Sequence, residues 1–355
     1  MALVIFILII AILILVHELG HFLAARRNKI GVDEFAIGFP PRLWSKKIKG
    51  TRYSLNAIPL GGYVKLHGED RAIDDKSFIK KSIWARFKVI SAGVLMNIIL
   101  AYVLLIIYFA FSGSPLATDP AKYPDFIKSK ITQTVITNVL DDSSAKKMGL
   151  KVGDIILDVN GQKISDANTF SNYTASQKNK PIILKIEREK EAKTIQGEVG
   201  EREDKGSLGV EIANYYPNIV FKWWAIPLMS VIDLFNIIFI TLYFFWNLIL
   251  VLFNQAKPLG EVVGPVGVYF VAKQAVALGF SYVLRLMILL SVNLAVINFL
   301  PIPALDGGRA LFLLIEKIRG KKMKEETESL VHLIGFLILI VLIIFISVRD
   351  VLKLF

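Results

Sequence analysis

The 355-residue chain has no cysteine and only four histidines. The lack of cysteine excludes thiolate metal sites and disulfides. Cysteine usage therefore gives no information on whether the protein is in an oxidising or a reducing compartment. Charge is also sparse, since charged residues make up 20% of the chain while 54% are hydrophobic. The mean hydropathy of +0.54 is too high for an ordinary soluble protein and indicates an integral membrane protein.

The charges that are present have a net value of +12 and gather beside apolar segments. The basic clusters are Arg26, Arg27 and Lys29, then Lys80, Lys81, Arg86 and Lys88, then Arg319, Lys321, Lys322 and Lys324. This distribution suits an anionic membrane face better than a nucleic acid, so we expect lipid contact and no nucleic-acid partner.

The most informative stretch is His17-Glu18-Leu19-Gly20-His21, which follows a run, Met1 to Val16, without a charged or polar residue. On a helix, His17 and His21 lie on one face, where both imidazoles can reach one metal ion. Each ionisable group at this depth costs roughly 2.5–3.5 kcal/mol, so a cluster of them indicates a function. A structural histidine pair is the alternative. We expect zinc binding, with Glu18 as the base that takes a proton from water.

Apolar runs predict an α-helical membrane protein with about four transmembrane helices. The runs are Ala2 to Ala24, Val89 to Phe111, Tyr282 to Leu300 and Val331 to Val348. The basic clusters beside them place the N-terminus outside and the His pair toward the cytoplasmic end of the first span.

Another apolar run, Ala225 to Phe253, is long enough to span but carries Asp233 and two asparagines. If it crossed alone, the third span would start in the cytoplasm and Asp306 would emerge far from the His pair. We therefore expect it to lie in the outer interface or to dip in and return, unless a second crossing through Val262 to Ala277 accompanies it. Gly260 to Gly267, which includes Pro265, should break the helix.

A polar segment precedes the second span, and a polar residue lies within that span. Alternating residues before and after Pro59 to Gly62 predict a small cytoplasmic β-hairpin that turns at Gly61-Gly62. The hairpin is either a structural lid or an edge that holds a substrate as an added strand. Gly93 and Asn97 lie on one helix face, where they serve either close helix packing or a polar lining of the active site.

The stretch from Ser112 to Tyr216 lies outside the membrane in this interpretation. Its residues from about 131 to 200 resemble the core of one PDZ domain, an α+β fold, on the stretches 135–139 and 144–164, with further strands at 182–186 and 194–199. Asn160-Gly161 is typical of a tight turn between strands.

Asp306 follows Asn298-Phe299-Leu300-Pro301-Ile302-Pro303-Ala304-Leu305, where two prolines end the third span. An ionisable group on irregular backbone near membrane depth must be buried in protein or line a cavity. Asp306 and the His pair are therefore expected at a similar depth in the membrane, near its cytoplasmic side. Two histidines and one carboxylate, with one position open for water, form a catalytic zinc set.

With these residues in place, the chain resembles the site-2 proteases, in particular the RseP type with PDZ modules outside the membrane. The resemblance covers essentially the whole length. It rests on His17 to His21, Gly61 to Lys65, Gly93 to Asn97, the PDZ-like core, Gly264 to Gly267 and Asn293 to Gly308. Arg309 stands where many relatives have histidine, and relatives with two PDZ modules differ from the single module here.

The resemblance implies one zinc ion per chain, held by His17, His21 and Asp306, with Glu18 as general base. It also implies that Asn298, Pro301 and Pro303 shape the substrate-binding side. We expect three further residues, Gly61, Gly62 and Asn97, to contribute to substrate binding.

The expected function is an intramembrane zinc endopeptidase that cleaves single-span membrane proteins, such as anti-sigma factors or signal-peptide remnants. The expected location is the bacterial inner membrane, with the PDZ-like domain outside and able to bind a peptide or protein. The expected domains are residues 1–111, 112–216 and 217–355. A membrane metal transporter and a non-catalytic PDZ-bearing scaffold are the alternatives.

Overall fold

The structure is a computed structural model that describes residues 2–69, 71–111, 113–188, 191–202, 205–253, 262–323 and 325–352. Two compact units make up the chain. The first comprises Met1–Phe111, Pro115–Thr118 and Ile226–Phe355, and the second comprises Ser112–Ser114 and Asp119–Ala225.

The elements are as follows in chain order. The helices are α1 (Ala2–Arg27), α2 (Ile83–Phe111), α3 (Ser144–Lys147), α4 (Ala167–Ala175), α5 (Ala225–Leu252), α6 (Pro265–Leu278), α7 (Phe280–Phe299), α8 (Asp306–Arg319) and α9 (Glu325–Leu352). The strands are β1 (Val32–Ile48), β2 (Thr51–Leu66), β3 (Ile127–Val139), β4 (Ile155–Val159), β5 (Gln162–Lys163), β6 (Pro181–Arg188), β7 (Glu191–Glu198), β8 (Gly200–Arg202), β9 (Lys205–Ser207) and β10 (Val210–Phe221).

The first unit is helical. Within the described residues, five helices, α1, α2, α5, α7 and α9, are long and apolar enough to cross a membrane. The number of helices that are long enough to span is thus one more than the four spans expected from the sequence. The predicted break from Gly260 to Gly267 lies partly outside the described residues, and Pro265 is the first residue of α6.

The apolar run at Ala225 forms one unbroken helix of 28 residues. A helix of this length is about 42 Å long, enough for the hydrocarbon core of a bilayer. A continuous helix cannot enter a membrane and return to the same side. The dip-and-return arrangement is therefore wrong for this segment. The polar residue Asp233 finds its hydrogen-bond partners without any break in the helix. Asp233 accepts hydrogen bonds from the amides of Leu116 and Ala117, at 2.8 and 2.9 Å.

Strands β1 and β2 form the small sheet of the first unit. Arg42 to Ile48 pairs antiparallel with Thr51 to Asn56, across the two-residue loop Lys49-Gly50. Both loop residues have positive φ, 48° and 88°, the backbone that matches the twist of paired strands. The sequence-based turn at Gly61-Gly62 is therefore wrong. Both glycines lie inside β2.

The two strands bend, so that the start of β1 has a partner on each side. Glu34 to Ile37 pairs with Gly62 to Lys65 on one side and with Arg52 to Leu55 on the other. Glu34 is 8% exposed and accepts hydrogen bonds from Arg42 and Ser54. Burial alone would raise the pKa of Glu34, but these donors hold it below its ordinary value. The ion pair thus fixes the bend with its charge satisfied.

Helices α1 and α2 approach closely where Gly20 lies against the backbone of α2. A Cβ on Gly20 would lie 2.3 Å from the carbonyl oxygen of Ala92, so only glycine permits this spacing. The close approach brings the His17–His21 face of α1 against α2.

The carboxylate of Asp350, near the end of α9, caps the start of α6. It accepts hydrogen bonds from the amides of Gly264 and Gly267, at 2.8 and 3.0 Å. Amides at a helix start have no partner within the helix, so this carboxylate satisfies them from outside. The paired glycines of the quoted motif thus join α6 to α9.

The second unit contains an antiparallel sheet in the order β10-β3-β4-β6-β7, with β5 beside β4. Alternate residues of β6, namely Ile182, Leu184 and Ile186, are buried in a core that also contains Phe170 of α4. Asn160 and Gly161 have positive φ, 50° and 84°, and form the two-residue loop between β4 and β5. The expected boundary at residue 216 falls inside β10, which pairs with β3 and ends at Phe221.

Candidate metal centre

Helix α1 presents His17 and His21 side by side. Their spacing of four residues places both rings on one face, and the two Nε2 atoms lie 3.2 Å apart. His17 is only 7% exposed and lies on a helix whose apolar window has a mean hydropathy of 3.0. Two imidazole nitrogens that face each other in such surroundings need a shared cation or proton between them.

Asp306 reaches the same point from a distant part of the sequence. It is the first residue of α8, directly after the proline-containing loop that ends α7. Its Oδ2 atom lies 3.1 Å from Nε2 of His17 and 3.2 Å from Nε2 of His21. The sequence-based expectation that these three residues converge is thus met in the geometry.

The donor chemistry of this cluster fits zinc. One candidate ligand atom from each residue lies within 4.8 Å of the other two, and among the described residues this is the sole such group. Asp306 Oδ2 is buried and has no hydrogen-bond partner. Nitrogen and oxygen atoms that face one another in this way are the donor set of a catalytic zinc site.

Neighbouring groups on α2 orient the two rings. Nδ1 of His21 lies 2.8 Å from the carbonyl oxygen of Val89, which can only accept, so Nδ1 carries the proton and Nε2 is free to bind a metal. The amide of Asn97 lies 3.4 Å from Nδ1 of His17, and its Oδ1 is buried without a partner. Turning that amide would let Oδ1 accept the Nδ1 proton and satisfy both groups. A backbone oxygen and a side-chain amide therefore serve as outer partners.

Gly93 leaves the space that the imidazoles occupy. A Cβ there would lie 2.4 Å from Nε2 of His21 and 2.7 Å from Nε2 of His17. Any side chain at this position would displace the candidate ligands. Close packing at the metal centre itself thus accounts for the glycine.

Glu18 lies between the metal cluster and β2. The backbone amide of Val64, in β2, lies near its carboxylate. A Cβ on Gly62 would lie 3.5 Å from Cγ of Glu18 and 2.9 Å from the carbonyl oxygen of Ala36. The candidate base is therefore adjacent to a strand, and the glycine keeps that strand close to it.

The residues that the sequence predicts to bind substrate lie in different surroundings in the structure. Asn97 is fully buried and contacts His17, so in this structure it has no surface for a substrate. Gly61 lies against the ring of Phe39. Asn298, Pro301 and Pro303 lie at the end of α7 and in the loop before Asp306, and for these three the substrate role stays a prediction.

Sequence reasoning did not find Val89 or the position of the Val64 amide. Both contribute backbone atoms, which carry no residue-specific signal. The Asn97 contact had a signal, since an intramembrane amide needs a partner, but the partner depends on helix packing.

Comparison with known proteins gives one family over nearly the whole chain. Residues 5–342 match the family model of peptidase family M50. A candidate zinc metalloprotease of Fusobacterium nucleatum is 34% identical and covers 100% of both chains. Another, from Synechocystis sp., is 36% identical over 98% of this chain and 93% of the relative. The regulator of sigma-W protease RasP of Bacillus subtilis is 28% identical over 99% of this chain and 98% of the relative.

Solved PDZ-domain structures match part of the chain. The PDZ domain of an SdrC-like protein from Listeria monocytogenes is 17% identical, covers 22% of this chain and 85% of that structure, and has a TM-score of 0.21.

Proposed function

The chain belongs to peptidase family M50 and is a zinc metalloprotease, and we propose that it cleaves single-span membrane proteins within the bilayer. The observation that carries this proposal is the convergence of His17, His21 and Asp306 between apolar helices. A soluble substrate would have no reason to reach ligands in helices of this composition. A similar relative is named as a regulator of sigma-W, which supports substrates of the anti-sigma-factor type, with signal-peptide remnants as the other type.

His17, His21 and Asp306 would hold one zinc ion through two Nε2 atoms and one carboxylate oxygen. When bound, zinc supplies Lewis-acid polarisation of the scissile carbonyl and lowers the pKa of water to about 7. The Val89 carbonyl and the Asn97 amide keep the rings turned toward that point. Gly93 keeps the point free of side chains.

Glu18 would act as general base and then as general acid. It takes a proton from the attacking water as the water oxygen bonds to the scissile carbonyl carbon. It then delivers this proton to the amide nitrogen as the C–N bond breaks, so that the products are a carboxylic acid and an amine, which exchange a further proton in water. The nearby Val64 amide would help to keep the carboxylate in reach of both events.

The end of β2 would present the substrate. A transmembrane helix shields its own peptide bonds, so it must be extended before hydrolysis, and an added β-strand is an extended form. Tyr63 to Leu66 pairs with β1 on one side and, among the described residues, has no strand on its other side. An extended substrate on that edge would pass beside Glu18.

The orientation follows from the charges. Basic clusters follow α1 and α8 and precede α2, so these ends would lie in the cytoplasm of a bacterial inner membrane. The catalytic residues would then be near the cytoplasmic face. The second unit would lie outside and, as a PDZ-like domain, would select substrates by binding a peptide or protein.

Glu18→Gln tests the chemistry. We expect cleavage of a single-span substrate to fall by about 10²–10⁴-fold, while zinc content and thermal unfolding match the wild type. The matched control is Glu69→Gln, which removes a carboxylate paired with Arg309. Normal cleavage by Glu18→Gln would refute the proposed role of Glu18, whereas a wild-type protein that cleaves no single-span substrate would favour a transport or scaffold role.

Gly62→Ala tests the edge. The added methyl group would lie 2.9 Å from the Ala36 carbonyl oxygen and must push the strand away beside Glu18, so we expect cleavage to fall about 10- to 100-fold with zinc retained. Gly61→Ala is the control, because the atoms nearest its methyl group belong to the ring of Phe39, which is 45% exposed and free to turn. Equal activity in both variants would argue that the sheet is only a lid.

A further inference from the structure

The loop that carries Asp306 toward the imidazoles has few bonds of its own. It runs from Leu300 to Leu305, and its two prolines have no amide hydrogen to donate. The amides of Ile302 and Leu305 bond within the loop, to the carbonyl oxygens of Leu300 and Ile302. The Ala304 amide is therefore the loop donor that is left for a partner from another element.

Ala304 has an unfavourable backbone conformation. Its φ of +76° lies in the left-handed region that residues with a Cβ seldom adopt. Such a conformation persists only where surrounding structure holds it, and it occurs two residues before Asp306. Something outside the loop must therefore fix Ala304 if the carboxylate is to have one position.

His332 of α9 supplies that contact. Its Nδ1 accepts a hydrogen bond from the Ala304 amide at 2.8 Å. Since an amide can only donate, Nδ1 is the unprotonated nitrogen, and the neutral ring carries its hydrogen on Nε2. The ring is steadied by Phe312 of α8, whose ring packs edge-on with centroids 5.1 Å apart.

The same face of α9 is shaped to admit the loop. Gly335 lies three residues after His332, on the same side of the helix. A Cβ on Gly335 would lie 2.5 Å from Cβ of Pro303 and 2.7 Å from its carbonyl oxygen. The glycine thus lets α9 approach the loop closely enough for His332 to reach the next residue, Ala304.

We propose that His332 is a positioning residue that holds the Ala304 backbone and thereby sets the Asp306 carboxylate against His17 and His21. This role rests on the proposed function, because it acts through zinc binding at that site. Helix α9 is then more than a membrane anchor. Through His332, 28 residues beyond Ala304, it supports Asp306, which among the described residues is the one candidate ligand outside α1.

Two variants of the full-length protein separate the acceptor from the bulk of the ring. His332→Phe keeps an aromatic ring against Phe312 but has no acceptor. His332→Asn places an amide oxygen close to the position of Nδ1. Leu333→Phe, at a 54% exposed site one residue on, controls for an added ring on α9.

Zinc affinity, measured by competition with a chelator, is the main readout, and kcat and KM for a single-span substrate are the second. We expect His332→Phe to bind zinc about tenfold more weakly and to lose kcat rather than KM, as for partners that orient metal ligands. His332→Asn and Leu333→Phe should stay close to wild type. If His332→Phe does not fold, His332→Ala replaces it in the same comparison.

Wild-type zinc affinity in folded His332→Phe would overturn the proposal, as would a loss in His332→Asn as large as that in His332→Phe. The first result would mean that the loop holds Asp306 unaided, and the second that the acceptor is not what matters. Failure of the proposed function is a separate outcome, since it appears as a wild-type protein that cleaves no single-span substrate, whatever the zinc affinity of the His332 variants.

Discussion

Asp154 in the second unit and Asp306 in the first are both withdrawn from water, yet their oxygens have opposite surroundings. Asp154 is 0% exposed and accepts two hydrogen bonds from Arg188, both at 2.7 Å, and one from the Lys151 amide at 2.9 Å. The Asp306 side chain is 19% exposed, and its buried Oδ2 has no donor.

The difference separates a structural carboxylate from a functional one. Buried polar groups in folded proteins are nearly always paired, because an unpaired one costs about 1–3 kcal/mol. Asp154 follows this rule with donors supplied by its own unit. Asp306 departs from it at the point where two imidazole nitrogens converge, which is what a site for a cation requires.

The largest expected effect is at Asp306. Asp306→Ala and His17→Ala should each weaken zinc binding by more than the roughly 10- to 100-fold that changes in outer partners cause, and should abolish cleavage. Without added zinc, the unfolding temperature of both variants should match that of the metal-free wild type. His17, His21 and Asp306 contribute little stability when no metal is bound, because the buried Asp306 oxygen has no hydrogen-bond donor. Metal analysis and thermal unfolding of the purified variants measure this. Full zinc occupancy in both would remove the contrast with Asp154.

Asp154→Asn should have the opposite profile. The change leaves Arg188 with a weaker partner, so we expect the second unit to lose about 2–3 kcal/mol while zinc binding stays unchanged. Hydrogen exchange of the β4 and β6 amides in the full-length protein reports this loss. Asp158→Asn is the control, since the Asp158 carboxylate accepts a hydrogen bond from the Gly161 amide of an exposed turn. Unchanged exchange in Asp154→Asn would show that the ion pair is not structural.

The smallest effect is a pH dependence confined to acid. Burial alone would raise the pKa of Asp154, but the donors from Arg188 and Lys151 hold it below its ordinary value. Its contribution is therefore complete above the unfolded pKa of about 3.9 and is lost as the pH falls through the folded pKa. Exchange at β4 should accelerate below about pH 4 in the wild type and less so in Asp154→Asn. An equal acid response in both would assign the loss to other carboxylates.

The small sheet of the first unit shows where local reasoning fails. Paired glycines predicted a turn at Gly61-Gly62, but neither has a positive φ, and the turn is at Lys49-Gly50. A glycine serves either a turn or a close approach, and the sequence does not distinguish the two. Here Gly62 is needed for its lack of a side chain, because a Cβ would lie only 2.9 Å from the Ala36 carbonyl oxygen.

The sequence by itself determined what depends on neighbours in the chain. Apolar runs gave the long helices, and a spacing of four residues placed His17 and His21 on one face, because helix geometry is set by local hydrogen bonds. Only the tertiary structure decided which distant groups complete the site. Asp306, Asn97 and the Val89 carbonyl reach the imidazoles through the packing of α2 and α8, and no local period encodes that packing. The same holds for β10, which pairs with β3 across a long stretch of intervening chain.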